Sequence, residues 1–158
     1  MQIDVISHLG KVLYRATREQ VYEELLPHRI VLILVREGDK IFIQKRADCV
    51  KYLPGYYCTS AGGHVEAGEA PLDAAKRELK EELGLESEPE MIAEFIFDDG
   101  HYRRIFLYQI TLREEMQFND KEVAGGFFIN KEELLWLPRD RLHPQLLPCV
   151  NYIWPNLL

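Results

Sequence analysis

Three glutamates, Glu78, Glu81 and Glu82, stand at i, i+3 and i+4 in "PLDAAKRELKEELGL", a spacing that brings their carboxylates to one side of a helix. Like charges so placed repel by roughly a few tenths of a kcal/mol per pair, and Glu81 and Glu82 fall near the helix C-terminus, where the macrodipole disfavours anions. A solvated acidic face is the ordinary fate of such a cluster. Here the unfavourable placement calls for a compensating cation, and a hard divalent ion with oxygen ligands suits the donors best. Gly62, Gly63 and Gly68 lie just before the helix and allow sharp turns, so that a backbone carbonyl can join the carboxylates, while Ala74 leaves room for the loop to lie close.

The helix itself is well marked. Pro71 suits a first helical position and Gly84 a left-handed residue just past the end, which predicts a helix over about 71–83. At about 100° per residue, Leu72, Ala75, Leu79 and Leu83 form a stripe that can dock on a sheet, with the glutamate face turned to one side of it. Around this helix the alternation and turn residues predict strands. "IVLILV" and "KIFIQKR" flank Glu37-Gly38-Asp39, the first apolar enough to be buried on both faces at the sheet's centre. "PGYYCTSAGGHV" is a β-prone run ending in the glycine loop; "MIAEFIFDD" and "RRIFLYQITL" flank Asp98-Asp99-Gly100, and "EVAGGFFI" adds a short strand. "NKEELLWL" and "PQLLPCVNYIW" are short helical candidates. At the start, a hairpin turning at residues 8–11 leads into a short helix for which Thr17 and Gln20 have capping-box spacing.

With no repeat or linker, the reading is one domain over residues 1–158, with a hairpin–helix extension at about 1–27. Hairpin-connected strands with helices between them point to an α/β or α+β fold, a mixed sheet covered by helices. Neither GxxxxGKT nor GxGxxG occurs, which removes the P-loop and Rossmann readings.

Charge narrows the partners. Nineteen Lys+Arg against 26 Asp+Glu give a formal charge of −7, opposing affinity for a nucleic acid polymer. An anionic small molecule would need a local device, such as a carboxylate-bound cation. Cys49, Cys58 and Cys149 lack any CxxC or zinc spacing, and a reduced cytoplasmic location is expected. No secretory pattern and no run of roughly 18 apolar residues is present, so neither secretion nor membrane insertion is expected. The apolar end "NYIWPNLL" suits either capping the core or a homodimer contact.

The pattern Gly63, five residues, Glu69, seven residues, Arg77-Glu78-Leu79, one residue, Glu81-Glu82, one residue, Gly84-Leu85 matches every defined position of the Nudix box. The chain therefore resembles the MutT-like Nudix hydrolases. That resemblance implies an α/β/α sandwich with a central mixed sheet, and hydrolysis of a diphosphate bond in a nucleoside-diphosphate-linked small molecule with Mg²⁺ or Mn²⁺. It implies Glu81 and Glu82 as metal ligands, Glu78 as ligand or general base, and the Gly63 carbonyl as a further ligand. Arg77 would orient Glu69 or Glu78 rather than touch substrate. Glu122, in "NDKEV", is the candidate for a carboxylate arriving from a later loop.

Outside the box, "LPHRIVLILV", "QKRADCVKYLPGYYCTSAGGHVEAGE" and "NDKEV" are similar to the branch that includes isopentenyl-diphosphate isomerase. His28 and His64 match two histidines of that enzyme's metal site, and Lys45, Arg46 and Lys51 fall where basic residues meet a diphosphate, with His64 also placed to touch substrate. The isomerase's catalytic cysteine, however, falls at Gly62 here, and Cys58 lies four positions away. A further metal-binding histidine is missing near Val21. Hydrolysis is thus favoured over isomerisation, and a catalytically silent nucleotide-binding module is disfavoured because no box carboxylate has been lost.

Overall fold

A computed structural model describes residues 1–157 of the chain. The N-terminal hairpin pairs β1 (Gln2–Ile6) with β2 (Val12–Thr17) and runs into α1 (Arg18–Glu23). Thr17 and Gln20 close the expected capping box, each side chain bonded to the other's backbone N–H. Val21, Ile3, Val5 and Ala16 bury together beneath this extension as a small core of their own.

The main sheet is mixed and runs in the order β5-β4-β3-β8-β7. These are β3 (His28–Glu37), β4 (Lys40–Arg46), β5 (Tyr57–Cys58), β7 (Glu90–Asp98) and β8 (Tyr102–Thr111); β6 (Ala61–His64) also pairs with β3, and β9 (Val123–Ile129) with β4. β3 lies at the centre, antiparallel to β4 and β6 and parallel to β8. Its apolar run is buried on both faces, as its composition requires.

Two apolar layers sandwich the sheet. Val31, Ile33, Val35 and Phe42 on one face receive Ala75, Leu79 and Leu83 of α2 (Pro71–Leu83). Ile30, Leu32, Leu34, Ile43 and Leu107 on the other pack with Leu146, Cys149 and Val150 of α4 (Leu146–Val150), while Leu134 of α3 (Lys131–Leu134) closes the same layer. The result is the α/β/α arrangement. Gly84 ends α2 at φ 67°, the left-handed conformation that only glycine adopts without strain.

One irregularity in the sheet creates the site. β3 and β4 pair only at Arg36↔Ile41 and Glu37↔Lys40, next to their turn. Beyond that point they part, β3 taking β6 as partner and β4 taking β5, while β9 pairs along the other edge of β4 from Ile41 to Arg46. Ser60 stands between the two strands. Its hydroxyl accepts from the Val35 N–H at 2.8 Å and donates to the Phe42 carbonyl at 2.6 Å, satisfying backbone groups that the separation would otherwise leave buried and unpaired.

Candidate active site

A cavity of about 800 Å³ opens where β3 and β4 diverge, lined by β6, the polar face of α2, the end of β4, the start of β8, α1, and the segment leading into α4. Gly63 sits opposite Val31 on β6, directly over α2. A Cβ at Gly63 would collide with the Glu78 carboxylate, coming 2.9 Å from its Oε2, so a larger residue here would displace Glu78 from its place beside Arg77. Gly62 is equally constrained: a Cβ there would lie 2.8 Å from the Val31 carbonyl and press on the Leu32 side chain. The position that would carry a cysteine in an isomerase has no space for a side chain.

Glu78, Glu82 and Glu122 each present a carboxylate oxygen to one point, these atoms lying within 4.8 Å of one another. Two come from successive turns of α2 and the third from the loop before β9. Glu82 is buried, and its carboxylate accepts the Gly62 N–H at 2.9 Å and a Gln44 amide hydrogen at 3.0 Å. Burial raises the pKa of Glu82 and the Glu122 charge adds to it, while the bonds from Gly62 and Gln44 oppose. Glu78 is raised by burial first and by Glu82 next, against the pull of Arg77. Two buried carboxylates that resist ionising together, beside a third, form an all-oxygen donor set that fits a hard divalent cation.

Arg77 fixes this arrangement from behind. Its guanidinium donates to Glu69 twice, at 2.9 and 3.0 Å, to Glu78 at 2.8 Å, and to the His64 carbonyl at 3.0 Å. All of its bonding lies inside the protein. Glu69 in turn accepts from the Glu66 N–H at 3.0 Å, pinning the loop between β6 and α2.

The remaining sequence candidates divide. Glu81 lines the cavity, but it is half exposed and among the described residues reaches only Arg77, at 3.4 Å, outside the cluster of three. Arg46 and Lys51 line the cavity, whereas Lys45 points to the opposite, exposed side of β4 and does not. His64 faces the cavity and its Nε2 lies 2.6 Å from the Tyr22 hydroxyl. His28 is fully buried, with Nδ1 bonded to the Leu26 carbonyl at 3.0 Å and Nε2 without a partner among the described residues. Burial holds His28 down to about 4 and His64 to about 3, so both rings are neutral near pH 7. Cys58 lines the cavity as a thiol, its pKa pushed up to about 12 by burial and by Glu82.

Tyr22, Gln44, Arg103 and His143 also belong to the site. Gln44 carried a signal, since it shares the face of β4 with Phe42 and Arg46. Tyr22 and His143 carried none, because the contacts that bring them here span much of the chain.

The NUDIX domain profile matches residues 26–150, the greater part of the chain. The chain belongs to the Nudix family. Among relatives, Nudix hydrolase YfcD of Escherichia coli (strain K12), itself uncharacterized, is 37% identical over 135 residues, covering 84% of this chain and 75% of that protein. Uncharacterized Nudix hydrolase SCO1686 of Streptomyces coelicolor is 31% identical over 137 residues, covering 84% and 76%. The crystal structure of DR0079 from Deinococcus radiodurans shares the fold with a TM-score of 0.75 at 24% identity, covering 86% of this chain and 87% of that one. In this Nudix domain the matched region begins at Leu26, so α1 and the hairpin before it lie outside the match.

Proposed function

We propose that the chain is a divalent-cation-dependent hydrolase that cleaves a diphosphate bond in a nucleoside-diphosphate-linked substrate by attack of water. The observation that carries this reading is the meeting of Glu78, Glu82 and Glu122 beneath the Gly63 loop, at the floor of a cavity large enough for a nucleotide. Glu78, Glu82 and Glu122 would hold the cation, with Glu81 at its open side. Bound Mg²⁺ or Mn²⁺ supplies charge neutralisation for the diphosphate and a more acidic water at neutral pH.

The chain's own groups do the rest. Arg77 keeps Glu78 oriented through the 2.8 Å bond, and Gln44 and the Gly62 N–H hold Glu82 in one rotamer. In its ionised form Glu78, oriented by Arg77, is suited to taking a proton from the attacking water when it is not itself a ligand. Arg46 and Lys51, at the same cavity, are placed to pair with phosphate oxygens. Isomerase chemistry finds no support at Gly62, where the fold leaves no room for a side chain.

The test is a phosphorus NMR product screen with Mg²⁺ over nucleoside triphosphates, nucleotide sugars, ADP-ribose and isopentenyl diphosphate, run beside Glu82→Gln. Phosphoanhydride cleavage that Glu82→Gln cannot perform is the expected result. Equal turnover by the folded variant would overturn the assignment, as would conversion of isopentenyl to dimethylallyl diphosphate without hydrolysis.

A further inference from the structure

The cavity has a second pole, opposite in sign to the glutamates. Tyr22 of α1 reaches into it, its hydroxyl 2.6 Å from His64 Nε2. Three arginines from three elements line the same cavity as that hydroxyl: Arg18 of α1, Arg46 of β4 and Arg103 of β8. Arg18 lies with Cζ 5.8 Å from the centre of the Tyr22 ring. Arg103 is buried and paired with Asp99 at 2.6 Å. Arg46 donates from Nε to the Tyr52 carbonyl at 2.9 Å, and neither Arg46 nor Arg18 forms an ion pair among the described residues.

Against these three guanidinium groups stand one paired carboxylate, Asp99, and Glu19, which lines the cavity without an ion pair among the described residues; a net positive charge remains at this pole in a chain of net −7. Such a concentration is unfavourable unless an anion completes it, and planar guanidinium groups match phosphate oxygens in geometry as well as charge. None of the three forms an ion pair with Glu78, Glu82 or Glu122 among the described residues, and the glutamate pole is held by Arg77 and set to take a cation.

We infer that the pole formed by Arg18, Tyr22, Arg46 and Arg103 is a second phosphate subsite, which receives a phosphomonoester carried by the substrate apart from the diphosphate at the glutamates. The substrate class is then a diphosphate-linked nucleotide bearing an additional phosphate. α1 lies outside the matched NUDIX region, so the N-terminal extension contributes a selectivity element to the site. Its identification as part of a substrate site rests on the hydrolase reading; its affinity for phosphate does not.

The two are separated by experiment. Inorganic phosphate is titrated into the full chain in chelator, where no cation occupies the glutamates, and followed by proton–nitrogen NMR of arginine side chains and His64. Saturable shifts are expected, with affinity lowered about tenfold in Arg18→Gln, the loss of roughly one charge-assisted bond. With metal restored, NADP⁺ and NAD⁺, which differ by one phosphomonoester, are compared as substrates; wild type should favour NADP⁺ in kcat/KM and Arg18→Gln should lose that preference. Phosphate that leaves these signals unmoved, or binds wild type and Arg18→Gln alike, overturns the inference whatever the hydrolysis shows. Phosphate binding that depends on Arg18, without phosphoanhydride cleavage in any assay, keeps the subsite and removes the hydrolase reading.

Discussion

Arg77 grips Glu69 with two parallel hydrogen bonds, Nε to Oε2 at 2.9 Å and Nη2 to Oε1 at 3.0 Å, so that a helix residue and a loop residue eight positions apart behave as one rigid piece. Burial alone would raise the Glu69 pKa, but the bonds from Arg77 and the Glu66 backbone outweigh it and hold the carboxylate lower. Nη1 fastens Glu78, and Nη2 also donates to the His64 carbonyl. A lysine keeps the charge and loses the fork. Arg77→Lys should therefore lower unfolding free energy by about 2 kcal/mol in urea titration and reduce kcat at least about tenfold, as Glu78 loses its fixed orientation. A lysine variant with wild-type stability and turnover would show that the grip is incidental.

The buried glutamates make a pH prediction for metal-free protein. Glu78 and Glu82 have folded pKa values raised above the ordinary 4.5, chiefly by burial, with the Glu82 charge adding to Glu78 and the Glu122 charge adding to Glu82. Their contribution to stability is thus fully present below about pH 4.5 and is lost as pH rises through the neutral range. Histidines act in the opposite sense: burial holds His28 and His143 to about 4 and His64 to about 3, so their contribution is present above about 6.5 and is lost as pH falls. Only a difference isolates the carboxylates. In chelator, Glu82→Gln should gain melting temperature relative to wild type as pH rises from about 5 to 8, and added Mg²⁺ should raise wild type more than the variant. A difference that stays flat across that range would mean Glu82 ionises freely.

Much of this site could be read from residue type and spacing. Helix α2 with its Pro71 start and Gly84 stop, the Thr17–Gln20 box and the doubly buried β3 all follow from local rules, and the structure has each of them. What local rules do not contain is the parting of β3 and β4. The run "PGYYCTSAGGHV" reads as one β-prone segment, yet it divides into β5 on β4 and β6 on β3, with Ser60 bonded across the gap. That division depends on partners far away in sequence. It decides that Gln44 and Arg46 face the glutamates, and that Glu82 rather than Glu81 meets Glu78 and Glu122. Periodicity places all three helix glutamates on one side, but the rotation of about 100° between Glu81 and Glu82 becomes a difference in depth only through where the sheet lies.

Gly62 offers a test of packing and chemistry together. Because a Cβ there meets the Val31 carbonyl and Leu32, Gly62→Cys must push β6 away from β3 or distort both. A cost of about 1–3 kcal/mol is expected from such overpacking, read as a lower denaturation midpoint. The same shift moves the Gly62 N–H from Glu82, so turnover should fall too. Isomerisation of isopentenyl diphosphate by Gly62→Cys, at unchanged stability, would contradict both arguments.

Lys45 and Arg46 are neighbours in sequence and opposites in the strand. Arg46 shares a face of β4 with Gln44, lines the cavity, and lies close enough for its charge to act on Glu82, Tyr22 and His143. Lys45 projects from the other face into solvent. If Arg46 meets a phosphate of the substrate, Arg46→Ala should raise KM about tenfold or more, the loss of roughly 1.5–3 kcal/mol from a charged hydrogen bond. Lys45→Ala removes the same formal charge from the same strand and should leave KM within about twofold, since an exposed charge beyond the cavity is screened by salt. Measured side by side at two salt concentrations, the pair separates a contact from a field: equal increases in KM for both variants, vanishing at high salt, would mean that Arg46 attracts substrate at long range and does not bind it.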